Sequence, residues 1–403
     1  MTRAPGRHFS WLFLGGLGTF VAMVKGGCAP IPAEKESVDN ALVGELLADV
    51  GPQVVIPSLE RFSAAVTTFA DALATWESAH ADDADTTDAQ TAAQQQWTTM
   101  MMVWQELELM QIGPAGSSLD VAAGEDLRDE IYSWPSVSPC QVDEELVAQG
   151  WTDPQWFERS LVNRYGLDAL EHLAHGTDAN ACPPESPINA DGTWAALGPA
   201  AIESARIAYA RTLTEHLSDN ASALLTAWSP SGGDFSGALS SPASRTPYED
   251  DQEALNAVFS GLFYLELTTK DRKLAQPLGY IECMETACPE LAEHPISGAS
   301  VVAIAANLRG FRLMFTGGEG FGADDLLDRL GHADLATEIL LQTDTAIDIA
   351  DSTVGTVQEG VIEDPQRIAA LYDAIAAVTT ILKTDLVTVL AVDVPPELAG
   401  DND

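Results

Sequence analysis

Basic residues are scarce in this chain: 19 Lys and Arg stand against 61 Asp and Glu, a net charge of −42. Nucleic-acid binding needs a basic footprint and is excluded on that count. So is adhesion to anionic lipid through a basic patch. Such a surface suits a saline or cation-rich medium, where salt screens self-repulsion, and it attracts metal cations weakly. Alternation of apolar and polar residues is almost absent beyond about four residues, so strand content is expected to be very low. Past residue 28 no apolar run reaches membrane-spanning length. The G-x-S-x-G elbow, the P-loop, the dinucleotide fingerprint and the H-E-x-x-H string are all missing, which removes the commonest hydrolase, nucleotide and zinc-protease readings. What remains is 403 residues with 46% hydrophobic content, enough for one large or two ordinary domains with a sizeable core.

Residues 1–28 read as a signal peptide. Arg3 and Arg7 form a positive start, and Phe9 to Val24 is apolar but short for a membrane span. Lys25-Gly26-Gly27-Cys28 resembles a bacterial lipobox, with Lys25 where an aliphatic residue is usual. Cys28 would then be the lipidated first residue of the mature chain, and residues 29–40 its tether. The expected location is the bacterial cell envelope: lipid-anchored at the outer membrane, on the periplasmic side or the surface, or free in the periplasm. Contact with membrane is expected through that anchor only. Four cysteines remain, an even number in an exported chain, which points to disulfides. Proximity favours Cys140 with Cys182 and Cys283 with Cys288. Their spacing matches no zinc-thiolate pattern.

After the tether, helical periodicity dominates. Leu59, Phe62, Val66, Phe69, Leu73 and Trp76 recur at three- and four-residue steps, within a helical stretch from Ala41 to His80 that is expected to break before Pro57. Trp97, Met101, Trp104, Leu107 and Met110 form a second such face, ended by Ile112-Gly113-Pro114. Helices are also expected over 141–148, 153–176, 195–228, 252–273, 297–315, 333–351 and 364–390. Asp153-Pro154 reads as an N-cap with Pro at the first helical position. Residues 229–250, rich in Ser, Gly and Pro, read as a linker or long loop. The chain therefore divides into a helical half over 41–228 and a second over 251–398. The fold class is all-α, two four-helix-bundle-like halves packed together.

The chemistry concentrates in Tyr165–Gly176. Asp168, Glu171, His172 and His175 sit at i, i+3, i+4 and i+7, which at about 100° per residue is one stripe of a helix. Leu167, Leu170, Leu173 and Ala174 lie opposite. Periodicity alone makes such a stripe a solvated face. As a functional stripe it offers Asp168, Glu171 and His172 as metal ligands, since carboxylate and imidazole suit iron, zinc or manganese. His80, His216, His294 and His332 are scattered and read as surface or satisfied core residues. Arg312 stands on an otherwise apolar helix beside Leu308, Phe311 and Phe315, a setting that calls for a carboxylate partner. The glycines at 317, 318, 320 and 322 lack the strand context of a phosphate loop.

Several strings, in order, resemble the imelysin-like family of bacterial envelope proteins (peptidase M75 type, with insulin-cleaving and iron-regulated members). They are Trp104 with Glu108 ahead of Ile112-Gly113-Pro114; Ser133-Trp134-Pro135 with Cys140-Gln141-Val142-Asp143; Gly166-Leu167-Asp168-Ala169-Leu170-Glu171; Asp271-Arg272-Lys273-Leu274-Ala275 with Pro277-Leu278-Gly279; and Asn307-Leu308-Arg309-Gly310-Phe311 leading to Phe315-Thr316-Gly317-Gly318. The family's G-x-H-x-x-E pattern is met at Gly166 and Glu171, with Asp168 at the His position. The resemblance implies two helical halves with this motif near their interface. It also implies a pocket built from the motif helix and the Asn307–Gly317 segment, and a link to iron or other metal handling. Trp134, Asp168, Glu171, Asn307 and Arg312 are its candidate ligand-binding residues, Arg312 as counter-charge. The leading expectation is an exported, lipid-anchored protein that binds a divalent metal or small ligand. Metal-dependent peptidase chemistry is the alternative, although the motif offers no recognisable peptidase machinery. A structural or partner-binding envelope protein is the third reading, and the Asp168 departure favours it.

Overall fold

The computed structural model describes residues 39–398. The leader with Cys28, and tether residues 29–38, lie outside the described residues. No strand occurs among the described residues, and the fold is all-α.

Helix α1 (Asn40–Asp49) passes through a π-helical turn at Val50–Val55 into α2 (Ile56–Ala81). The expected break before Pro57 is absent. Pro52 and Pro57 lack a donor and crowd the carbonyl four residues back, and a widened turn relieves that crowding while the rod continues. The run Asn40–Ala81 is, contrary to expectation, long enough, and over one 18-residue window apolar enough, to cross a membrane, with mean hydropathy 1.3 in that window. Its apolar side chains are spent inside the protein: Leu59, Phe62, Val66, Phe69, Leu73 and Trp76 are each at most 1% exposed. They pack against α3 (Thr87–Leu107), where Phe62 meets Trp104 with ring centroids 4.9 Å apart.

The expected single helix over 153–176 is three pieces. A short helix spans Trp156–Arg159, a 3-10 turn spans Val162–Arg164, and α4 covers Leu167–His175. Asp153 accepts a hydrogen bond from the Gln155 amide but starts no helix at Pro154. Gly166 forces the restart. Its φ of 88° and ψ of −171° belong to a region open essentially to glycine alone. A Cβ there would also stand 2.8 Å from the Ile131 carbonyl oxygen. Helix α5 (Pro199–Trp228) closes over α2 and α4. The 229–250 stretch is not plain coil: it carries a helix at Phe235–Leu239, and Phe235 packs edge-on to Trp228 with centroids 4.8 Å apart.

Helix α6 (Asp251–Leu262) leads into a π-helical segment, Leu265–Ala275. Then follow α7 (Ser300–Thr316), α8 (Ala333–Ser352) and α9 (Pro365–Ile381). The crossing of α7 over α3 joins the N-terminal and C-terminal helices, and Gly310 makes it close. A Cβ on Gly310 would lie 2.3 Å from the Glu106 carbonyl oxygen. That approach sets Asn307, one turn earlier, against Gln105 of α3. Both disulfides expected from proximity are present. Cys140–Cys182 ties the helix Pro139–Ala148 to the loop after α4, and Cys283–Cys288 closes a small loop.

Candidate metal centre

Helix α4 is largely buried, with only Asp168 and His175 partly exposed. Leu167, Leu170, Leu173 and Ala174 are fully buried, and on the opposite stripe Glu171 and His172 are 4% and 5% exposed. The polar stripe is therefore not a solvated face. It splits among three destinations.

Asp168 and Glu171 turn toward the loop before α7. There, Glu171 Oε2 lies 3.0 Å from His294 Nδ1, and Glu171 Oε1 accepts a hydrogen bond from the Ser297 amide at 2.8 Å. Asp168, Glu171 and His294 each place one donor atom within 4.8 Å of the others. Asp168 is partly exposed as a residue, yet its Oδ2 is shut away from water with no hydrogen-bond partner. His294 holds the site in a left-handed backbone conformation, φ 54°, that a non-glycine residue adopts only under local constraint.

A second polar layer lies behind the first. Glu293 Oε2 pairs with Lys273 Nζ at 3.0 Å. Glu293 Oε1 accepts from Gln105 Nε2 at 3.0 Å and from the Tyr132 hydroxyl. Lys273 Nζ also donates to Gln105 Oε1 at 2.6 Å and Asn307 Oδ1 at 2.8 Å. Asn307 Nδ2 donates to the Gln105 carbonyl oxygen at 2.7 Å. Lys273 comes from the π-helical segment, a distortion common at functional sites. Trp97 lies between two imidazoles, edge-on to His294 and to His175, both with centroids 5.3 Å apart. Its indole donates to the Leu167 carbonyl at 3.0 Å.

Burial and charge divide the protons among these groups. Burial pushes the Asp168 carboxyl well above the usual carboxylate range; the His294 charge opposes this, and Glu171 and Glu293 reinforce it. Burial also works against the Glu171 carboxylate, but the charge and hydrogen bond of His294 and the Ser297 amide outweigh it and lower its pKa. For His294, burial disfavours the imidazolium, yet Glu293 and Glu171 prevail and raise its pKa. The centre thus holds one proton-hungry carboxyl, one carboxylate and one basic imidazole.

The candidates named from the sequence separate accordingly. Asp168 and Glu171 come together. Asn307 joins the layer behind them. Trp134 lies 5.9 Å from Lys273 Nζ and lines a neighbouring cleft of about 610 Å³ with Arg128 and Tyr264. His172 does not join Asp168 and Glu171: its Nε2 meets Asp143 Oδ1 at 2.9 Å, while Asp143 Oδ2 accepts from the Ala181 amide. One helical position rotates it out of the centre and toward the disulfide loop. Arg312 is not a counter-charge there either. It is half-exposed on α7 and pairs with Asp344 of α8 at 2.8 Å. Lys273 and His294 supply the positive charge instead. His294 corrects the reading of the scattered histidines, for it lies 123 residues from Glu171. The only local signal was an acid next to an imidazole just before Pro295.

An all-α chain with a buried carboxylate–imidazole centre between helices from both ends of the sequence is the class this structure defines. The sequence profile of the imelysin family (Peptidase M75) matches residues 58–384, and the chain belongs to that family. An imelysin-like protein from Psychrobacter arcticum 273-4 shares the fold at 17% identity and TM-score 0.67, over 89% of this chain and 99% of that one. A protein described as an iron-regulated protein A precursor, from Parabacteroides distasonis ATCC 8503, does so at 15% identity and TM-score 0.65, over 89% and 96%. No curated protein matches.

Proposed function

We propose that this protein binds a divalent metal ion, iron foremost, through Asp168, Glu171 and His294. The observation that carries this is the orphaned Asp168 Oδ2, buried beside a carboxylate and an imidazole. A buried polar atom without a partner is costly. A cation is the ligand that would satisfy it and offset the Glu171 charge. Two carboxylates and one imidazole suit iron, manganese or zinc. Bound there, the ion would supply positive charge and a Lewis-acidic centre. The iron-regulated description of a structural relative agrees with iron as cargo. Binding is favoured over hydrolysis because Glu171, the carboxylate that a hydrolytic reading needs as its general base, is itself one of the three candidate ligands.

Calorimetry on metal-stripped mature protein with Fe(II), under exclusion of oxygen, and with Zn(II) tests this. A saturable one-to-one heat is expected for one or both ions, and its absence would sink the reading. The protons on His294 and Asp168 must both leave for a metal to bind. Both pKa values are raised, so affinity should climb as pH rises through them and fall below. The heat should also vary with the buffer's ionisation enthalpy as protons are released.

We infer further that the chain is exported and lipid-anchored at Cys28. The positive, apolar leader supports this, and two disulfides suit an oxidising compartment. Mass spectrometry of the membrane fraction should find a lipid-modified N-terminal Cys28. An unmodified Cys28 within an uncleaved or differently cleaved chain would refute it.

A further inference from the structure

On the other side of α4 is a second cleft, of about 430 Å³, which Trp76, Gln90, Gln94, His175, Thr177 and Arg206 help to line. Arg206 is the notable member. In a chain with 19 basic residues, this one is only 4% exposed, and its Nε and Nη2 are buried without a hydrogen-bond partner. Those two nitrogens form one edge of the guanidinium, the edge that takes two oxygens side by side. Asp143 and Asp178 act on it by charge, but neither completes that edge.

Structural reasons for the residue do not account for the two unpartnered nitrogens. The guanidinium stands at the C-terminal turn of α4, where a cation is favoured by the helix dipole. That field is weak against the desolvation of an arginine, and it leaves two N–H groups unsatisfied. At Gly176 a Cβ would lie 2.5 Å from the His172 carbonyl oxygen and 2.8 Å from both Nη1 and Nη2, so the guanidinium lies close against the backbone there. His175 adds a second orphan. Its Nε2 is buried with no partner, and burial holds the ring below the usual imidazole range. Two unpartnered nitrogen groups, from α4 and α5, thus border one cleft of small-molecule size.

We propose that this cleft binds a small carboxylate, held side-on by Arg206 with the His175 imidazole beside it. A short side-chain adjustment brings the guanidinium edge to the ligand. A singly charged ligand is favoured over a phosphate dianion, because the cleft also contains acidic groups. Glu203 is engaged by the Trp76 indole at 2.8 Å and His80 at 3.3 Å, and Asp178 is exposed at the mouth. Gln90 and Gln94 both donate to the Ala174 carbonyl at 3.1 Å, which leaves neutral amides on the remaining wall.

The test uses benzoate as the carboxylate probe, benzamide as its neutral counterpart and inorganic phosphate as the dianion, on the folded mature protein. Calorimetry should give a saturable heat for benzoate and none for benzamide. Arg206→Met should weaken benzoate at least about tenfold, the loss expected when charge-assisted hydrogen bonds are removed. Should that variant fail to fold, nitrogen-15 NMR of arginine Nε groups in the unaltered protein decides. One Nε signal should move on benzoate titration, and benzamide should leave it in place. Binding of benzamide as tight as benzoate, tighter binding of phosphate, or no saturable heat would each overturn the proposal.

Discussion

Replacing His294 with Ala should weaken divalent-metal binding by about 100-fold or more, whereas His172→Ala should leave it within about twofold. The first figure follows from removing a ligand outright, since loss of an outer partner alone costs roughly 10- to 100-fold. The second is the tolerance for residues that share no partner. Both histidines are buried, and both meet a carboxylate near 3 Å: His294 faces Glu171 at 3.0 Å, and His172 faces Asp143 at 2.9 Å. They differ in what else is within reach. His294 shares its site with the orphaned Asp168 Oδ2. Asp143 already spends its other oxygen on the Ala181 amide at 2.7 Å. The pair therefore separates metal binding from general damage to a buried imidazole. Calorimetry with Zn(II) and Fe(II), alongside circular dichroism of each variant, reads the result. Equal losses in the two variants would refute the assignment of His294.

The largest stability effect is expected at Lys273. Lys273→Met should cost about 3–5 kcal/mol, the range for removing one partner of a buried ion pair. Lys273 and Glu293 are each 1% exposed, so water cannot compensate the charge left behind. Glu293 would keep its bonds from Tyr132 and Gln105, but Gln105 Oε1 and Asn307 Oδ1 would each lose one of two donors, keeping those from Asn307 Nδ2 and the Thr269 hydroxyl. The double variant Lys273→Met with Glu293→Gln should recover much of the loss, because the stranded charge is gone. Urea unfolding at pH 7 measures both. A single-variant loss under about 1 kcal/mol, or no recovery in the double variant, would show that the pair is not held as described.

Much of the architecture was legible because helical periodicity is a local property. The stripe from Leu59 to Trp76 and the face from Trp97 to Met110 announce helices whatever lies beside them. The even count and close spacing of cysteines likewise suggested both disulfides. Boundaries failed where backbone geometry, not periodicity, decides. Gly166 interrupts a stretch whose pattern would otherwise run unbroken, and the Pro52–Pro57 region widens the helix where a break was expected. Arg312 misled for a different reason. An arginine among apolar residues does call for a carboxylate, but the sequence does not say which, and Asp344 on the next helix satisfies it at the surface.

By itself, then, the sequence determined an acidic, all-α chain of the imelysin family and pointed to α4 as the place where carboxylates and imidazoles gather. Only the tertiary structure decided which of them act together. Asp168 and Glu171 share a stripe with His172 and His175 because of a 3.6-residue repeat, but a stripe on a largely buried helix faces several neighbours at once. The close crossing at Gly310 and the loop ahead of α7 bring His294, Glu293 and Lys273 to one side of that helix. Asp143 takes His172 on another, and Arg206 stands at its end. A helix repeat records which residues point the same way, whereas the partner each one meets lies elsewhere in the chain, 29 residues away for His172 and 123 for Glu171, and that is settled by packing.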